Sequence, residues 1–341
     1  MRDLRADCKR KSGGTGKFCW LGYLPRVGVS GVQGDSSQKR RFGAVVGVGL
    51  AVVDQLLLVA GEEPGAQRVR YTERLVSAGG MVATALSQAA ALGCPSRIVS
   101  VVGDDAEGRF LARELRTAGV STRQLLRHAA CPTSVAVVLV RVENGERRFL
   151  VPDRRAVERR APDFDLSAIR QNALLLIDGH YPAQALRAVR QARRVGAVVI
   201  GDFSDSRPGY HRLLPYVDYP IVPIEFGRSW GKRAARETLF ALRDEYGGCP
   251  VVTEGRRGAL ALLDGRPRRI SAPRVKVRDT TGAGDVFHGA FAAGLYHGLD
   301  ELAALHLAAR AAATSCTALG GPSRLMTRAE MRRETRRRRV A

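Results

Sequence analysis

The chain has 341 residues, 45% of them hydrophobic, with 55 Lys and Arg against 33 Asp and Glu for a formal charge of +22. That length holds one large α/β domain with an appendage or two ordinary domains, and the apolar content is ample for a buried core. No apolar run approaches the ~18 to 20 residues that span a bilayer, since the best one, from Gly43, is broken by Asp54 and Gln55. The basic N-terminal residues are not followed by an apolar segment with a small-residue cleavage site, so the cytoplasm is the expected compartment, without membrane attachment. Six cysteines, Cys8, Cys19, Cys94, Cys131, Cys249 and Cys316, lie far apart with no C-x-x-C pair and read as reduced thiols.

The charge is concentrated at the ends. Residues 1–42 carry ten Lys or Arg against three Asp, and residues 327–341 seven Arg against two Glu. Arg336 to Arg339 could contact phosphate backbones nonspecifically, but no aromatic residues interleave to stack bases, so a solvated tail is the favoured reading and nucleic acid is not an expected partner.

Along the chain, residues 1–42 form a basic Gly- and Ser-rich extension expected to lack stable structure. The run Ser12-Gly13-Gly14-Thr15-Gly16-Lys17 imitates a P-loop, but Lys11 stands at the first glycine position and Phe18 follows the lysine. From residue 43 the pattern predicts a strand over 44–52, a helix over 81–92, a strand over 98–102 and a helix over 109–118 that Gly119 stops. Residues 135–142, the pair Asn144-Gly145 and residues 147–151 predict a hairpin. Strands over 174–178, 197–202, 217–222, 251–253 and 260–263 then alternate with helices over 183–194 and 232–245, and a last Ala-rich helix is expected over 302–317. The expected fold is α/β, with a mostly parallel central sheet between helices and a small β-rich lid from about residues 56–73 and 133–152. Ligands on such a sheet bind beyond the carboxyl ends of the strands, where Asp54, Asp178, Asp202, Thr253 and Asp285 are expected.

The most informative stretch is Asp279-Thr280-Thr281-Gly282-Ala283-Gly284-Asp285, followed by an apolar small-residue run from Val286 that reads as a helix. Small residues let the N–H groups of Gly282, Ala283 and Gly284 converge on an anion at the positive end of that helix. Asp285 at its mouth is placed to take a proton from a hydroxyl, so the chemistry indicated is phosphoryl transfer to an alcohol. An isolated Gly-Asp pair is usually no more than a capped turn.

This run resembles the C-terminal signature of the PfkB, or ribokinase-like, family of sugar and nucleoside kinases. The strand Gly47-Val48-Gly49-Leu50-Ala51-Val52-Val53-Asp54, the Ala78-Gly79-Gly80 turn, Gly103-Asp104-Asp105-Ala106-Glu107-Gly108 and Thr253-Glu254-Gly255 are similar to further family segments. The likeness covers roughly residues 42–326, which makes residues 43–326 the expected kinase domain and 327–341 an Arg-rich tail. It implies a three-layer ribokinase-like fold, ATP with Mg²⁺, and a homodimer paired through the lids.

By the resemblance, Asp54, Gly79, Gly80 and Thr84 bind the acceptor, while Thr253 and Gly255 approach ATP. Cys316 either lines the adenine pocket or packs as a core thiol. Asp279, Thr281 and Ser323, with Gly321, match positions that border a monovalent cation such as K⁺. Glu225 either helps to hold Mg²⁺ through water or is a helix-start carboxylate favoured by the dipole. The chain departs from the family where Met81 follows the double glycine, Thr84 replaces a common Asn, and Pro223-Ile224-Glu225 replaces Asn-x-x-Glu. The Gly-Gly-x-x-Ala-Thr-Ala variant is similar to the sulfofructose kinase-like branch. The expected activity is transfer of the γ-phosphoryl group of ATP to a hydroxyl of a sugar or sugar-like compound. The rival is a ribokinase-like scaffold without catalysis that binds other molecules, nucleic acid included, through its basic ends.

Overall fold

The computed structural model describes residues 41–60, 68–143, 146–204 and 209–340, with side chains only to residue 334 of the last helix. The expected extension over residues 1–40, and the Asn144-Gly145 turn, lie outside the described residues. In chain order the elements are β1 (Ala44–Val48), β2 (Val52–Val59), β3 (Tyr71–Gly79), α1 (Met81–Ala91), β4 (Ser96–Val102), α2 (Ala106–Thr117), β5 (Val120–Arg127), β6 (Val135–Arg141), β7 (Arg147–Leu150) and α3 (Arg155–Arg160). There follow β8 (Ala173–Ile177), α4 (Pro182–Val195), β9 (Val198–Asp202), β10 (Tyr219–Pro223), α5 (Ile224–Ser229), α6 (Ala235–Tyr246), β11 (Val251–Thr253), β12 (Ala259–Leu263), β13 (Arg266–Ile270), α7 (Ala283–Tyr296), α8 (Glu301–Ser315) and α9 (Arg328–Val340).

Nine strands form one sheet in the order β13-β12-β11-β10-β9-β8-β1-β4-β5. The seven from β11 to β5 run parallel, and β12 and β13 close one edge antiparallel. The parallel strands are apolar on both faces because helices cover both, and β8 reads Ala-Leu-Leu-Leu-Ile with every residue buried. One core layer joins α1, α2, α7 and α8 to the sheet, and the other joins α4 and α6. The architecture is the expected three-layer α/β fold.

A second sheet of four strands, β3-β2-β6-β7, stands apart from the first. It corrects two boundaries. The apolar run over 44–52 is not one strand: β1 ends at Val48, the chain turns through Gly49 to Ala51, and β2 starts a new sheet at Val52. The small sheet therefore begins before residue 56 and, through β3, extends to Gly79, past residue 73. The inner face of this sheet packs Leu56, Val138 and Val140 on Leu319.

The C-terminal residues also differ from a solvated tail. Residues 328–340 are a helix, and Met331 on its first turns is 6% exposed within the core that holds α1 and α8. Arg310 on α8 pairs with Glu334 at 3.0 Å, and Arg324 pairs with Glu330. An apolar residue among arginines was enough to dock the helix.

Helices α1 and α7 approach closely at Gly289. A Cβ on Gly289 would lie 2.0 Å from the Ala85 carbonyl oxygen, which is backbone and has nowhere to go. Gly289→Ala is expected to destabilise the fold by about 1–3 kcal/mol through overpacking. The urea midpoint should fall with an unchanged slope, and an unmoved midpoint would mean that the two helices separate freely.

Candidate active site

The turn from β1 into β2 passes over the carboxyl end of β8, and Asp178, just past that strand, holds it there. Its Oδ2 accepts from the Leu50 N–H at 2.7 Å and its Oδ1 from the His180 N–H at 2.9 Å, with the side chain fully buried. A Cβ on Gly49 would strike Asp178 at 2.2 Å, so the turn fits only because that residue is glycine.

Asp54 thus lies on β2, in register with Ser77 of β3 and Ala136 of β6, rather than at the end of a strand of the large sheet. Its carboxylate occupies the space a side chain on Gly79 would need, with Oδ2 2.0 Å from such a Cβ. Burial and the Asp279 carboxylate raise its pKa to about 7. Gly80 precedes α1, and Thr84, one turn on, is 3% exposed.

The loop into α7 brings the remaining groups together. Gly282 has φ 71°, a left-handed conformation suited to glycine, and a Cβ there would meet Gly321 at 3.0 Å, Thr84 Cγ2 at 3.4 Å and Asp285 Oδ2 at 3.8 Å. The acceptor-side Thr84 is thereby placed next to the glycine loop. The N–H groups of the first turn of α7 have no carbonyl one turn back and so face the cleft. Among them Ala283 makes a long bond of 3.3 Å to the Thr280 carbonyl.

Asp285 lies in this first turn, half-buried. Its pKa is raised well above the carboxylate range, by desolvation first, then by Asp202, Asp54 and Asp178, while Arg147 opposes the shift. Four of the five polar groups expected to converge, Asp54, Asp178, Asp202 and Asp285, do share one electrostatic neighbourhood. Asp202 is likewise raised by burial and by Asp178.

Asp279 is 1% exposed, and both its oxygens are engaged inside the protein. Oδ1 accepts from the Thr281 N–H at 2.9 Å and from the Thr281 hydroxyl at 2.7 Å, and Oδ2 accepts from the Gly320 N–H at 2.8 Å. Its carboxylate ties the phosphate-type loop to the facing loop of Gly321 and Ser323. Ser323 N–H donates to the Gly320 carbonyl at 3.1 Å.

On the far side, Thr253 ends β11 and Gly255 opens a short turn with open space where a side chain would be. Glu254 between them is paired with Arg257 at 3.0 Å and with Arg269, which shows why a carboxylate stands there. Cys316 is half-buried, its thiol donates to the Ala312 carbonyl at 3.2 Å, and its carbonyl accepts from the Arg278 N–H at 2.8 Å. Burial, then Asp279, raise its pKa, as for a packed thiol. The Glu225 side chain, in the first turn of α5, is 63% exposed and 3.7 Å from Arg228.

Two ties from the small sheet to the loop before α7 were not legible beforehand. Arg147 of β7 donates to the Thr280 carbonyl at 2.9 Å, and Glu73 of β3 pairs with Arg278. By sequence Arg147 reads as a surface arginine, because nothing local marks a side chain that reaches a loop 133 residues away. Among the described residues no His, Cys, Asp and Glu cluster has the makings of a metal site, and no helix is long and apolar enough to cross a membrane.

Residues 44–327 match the family described as pfkB family carbohydrate kinase. The 5-dehydro-2-deoxygluconokinase of Shouchella clausii is 28% identical over 258 residues, covering 65% of this chain and 75% of the relative. Bacillus subtilis ribokinase is 29% identical over 261 residues, covering 74% and 86%. Among solved structures, ribokinase from Thermotoga maritima has the same fold with a TM-score of 0.71 at 24% identity, over 86% of this chain and 100% of its own. The microbiome-derived acarbose kinase Mak1 gives 0.72 at 25% identity, over 86% and 98%.

Proposed function

The chain belongs to the pfkB family of carbohydrate kinases, which are ATP-dependent phosphotransferases, and from that premise we propose that it phosphorylates a hydroxyl of a sugar or sugar acid. The observation that supports this reading most is the position of Asp285, in the first turn of α7 next to the glycine loop and within the field of Asp54. Asp285 takes the proton of the acceptor hydroxyl as it attacks, and burial with the neighbouring carboxylates raises its proton affinity, in the direction a base needs. The N–H groups of Gly282, Ala283 and Gly284 stabilise the negative charge of the phosphoryl group in flight. Asp54 orients the acceptor by accepting hydrogen bonds from its hydroxyls, with Gly79, Gly80 and Thr84 forming the adjoining wall. Thr253, Gly255 and Cys316 border the nucleotide.

When bound, Mg²⁺ would neutralise charge on the phosphates of ATP, and Glu225 is the carboxylate that would hold it through water. Asp279, Thr281 and Ser323 border a monovalent cation, K⁺ in the first instance. Since the Asp279 carboxylate is already committed to three donors, main-chain oxygens of these loops are the better candidates. The small sheet serves as a lid that excludes water from the activated hydroxyl. ATP turnover across a panel of sugars and sugar acids tests the reading. Sugar-dependent ADP release is expected, and its absence with every acceptor overturns it.

The lid also carries the exposed apolar residues Tyr71, Val142, Phe149, Leu150 and Val151, between 52% and 65% exposed apart from Phe149 at 50%. With β3 and β7 as its open edges, this surface suits a second copy, and we read the protein as a homodimer through its lids. Light scattering on a sizing column is expected to give a dimer, and Phe149→Asp with Leu150→Asp a monomer.

A further inference from the structure

Beneath Asp285 lies a buried pair that the reaction scheme above does not use. His288, one turn along α7, is 4% exposed, and Asp202, at the end of β9, is 6% exposed. The imidazole Nδ1 is 2.7 Å from the Gly284 carbonyl oxygen and 3.3 Å from Asp202 Oδ2, and Nε2 is 3.4 Å from the Ile221 carbonyl oxygen. Ile221 is the register partner of Asp202 on β10, so three elements meet at this ring. Every polar atom facing it is an acceptor.

A neutral imidazole has one N–H and one lone pair, so among three acceptors it always turns that lone pair on one of them. Asp202 Oδ2, for its part, has no hydrogen-bond partner among the described residues. An ionised carboxylate oxygen buried beside an unprotonated ring and near Asp178 is a costly arrangement. One proton held between the two groups removes the cost, whichever of them carries it, and leaves the pair without net charge. The directions agree: burial and Asp178 raise Asp202, while burial lowers His288 to about 4, so the ring is not charged independently of its neighbour.

We propose that His288 is a positioning residue for the phosphoryl-transfer turn. Sharing one proton with Asp202, it clamps the Gly284 carbonyl and so fixes the N–H groups and Asp285 at the start of α7. The inference rests on the kinase reading for its kinetic consequences, but not for its protonation state. An ionised Asp202 would be the strongest charge raising Asp285, ahead of Asp54 and Asp178, and the shared proton relieves it, with Arg147 of β7 the cation that faces Asp285 from the small sheet.

His288→Leu fills the space without a donor and is expected to lower kcat about tenfold or more with both KM values within about twofold. His288→Asn, whose amide can again donate to Gly284, should recover most of that loss. Asp202→Asn is as uncharged as the proposed pair, so the ascending limb of the pH profile should stay within about 0.3 unit of wild type. A limb that moves down by about one unit would show that Asp202 is an ionised neighbour in the wild type, and would overturn the proposal. A leucine variant with unchanged kcat, or with a raised KM alone, would do the same.

Should the leucine variant fail to fold, ¹⁵N-histidine and ¹³C-aspartate spectra of the wild type at pH 7 decide. An imidazolium His288 or a protonated Asp202 is expected. A neutral ring beside an ionised carboxylate sinks the idea even if the enzyme is an active kinase. A protein without turnover on any sugar but with the shared proton in place would sink the kinase reading alone.

Discussion

Asp285→Asn should lower kcat about 10³-fold while leaving the affinities for ATP and acceptor within about twofold. The amide keeps the shape of the side chain at the mouth of α7 and removes its ability to take a proton. Asp178 and Asp279 do not replace it, since Asp178 is bound to the Leu50 and His180 N–H groups, and Asp279 to Thr281 and Gly320. The check is turnover under saturating substrates, with calorimetry for the two affinities. A variant within about tenfold of wild type would mean that water or phosphate takes the proton, and Asp285 would lose its place in the mechanism.

Asp54→Asn is the second large effect, expected to raise the acceptor KM about 10²-fold through the loss of two charge-assisted hydrogen bonds, with the ATP KM unchanged. The pH dependence carries a sharper signature. Burial and Asp279 raise this carboxyl to about 7, so below that pH it is protonated and has lost acceptor capacity. Acceptor affinity should therefore improve as pH rises through about 7 in the wild type. It should be flat across the same range in the variant. For the ligand-free fold the sign reverses. The folded carboxyl keeps a proton that the unfolded chain releases near 3.8, so Asp54 costs stability progressively between that value and about 7, and Asp54→Asn should remove this cost. If acceptor KM is equally flat with pH in both proteins, Asp54 does not hold the acceptor.

The chain made some of this plain and hid the rest for identifiable reasons. The alternation of apolar strands and amphipathic helices showed the layered sheet, because a strand such as β8 is buried on both faces and reads as an unbroken apolar run. Asp285 and the glycines stood out because the proposed anion site is local, contained in seven consecutive residues, Asp279 to Asp285. The break between β1 and β2 did not, since Gly49 to Ala51 sit in a run apolar throughout, and what holds its bend is a hydrogen bond from the Leu50 N–H to Asp178, 128 residues away. β5 escaped notice because its Ser, Thr, Arg and Gln suit an edge strand that is only half covered. The Asp202 and His288 pair is invisible along the chain for the same reason as the Arg147 tie. Each is a meeting of distant segments, and neither residue belongs to a spacing that announces it.

The placement of Asp54 on the small sheet has a mechanical meaning. In the proposed roles the anchor of the acceptor lies on the small sheet and the base on α7, so the separation of hydroxyl and Asp285 depends on how the small sheet sits on the rest of the fold, with Gly49 to Ala51 and Gly80 as the proposed hinges. A change of 1 Å at the reacting atoms is worth about 10²-fold in rate, and a small tilt of the sheet supplies it. Compounds that miss Asp54 then fail twice, in occupancy and in gearing the hinge, and water that enters by itself has no handle with which to pull the sheet down.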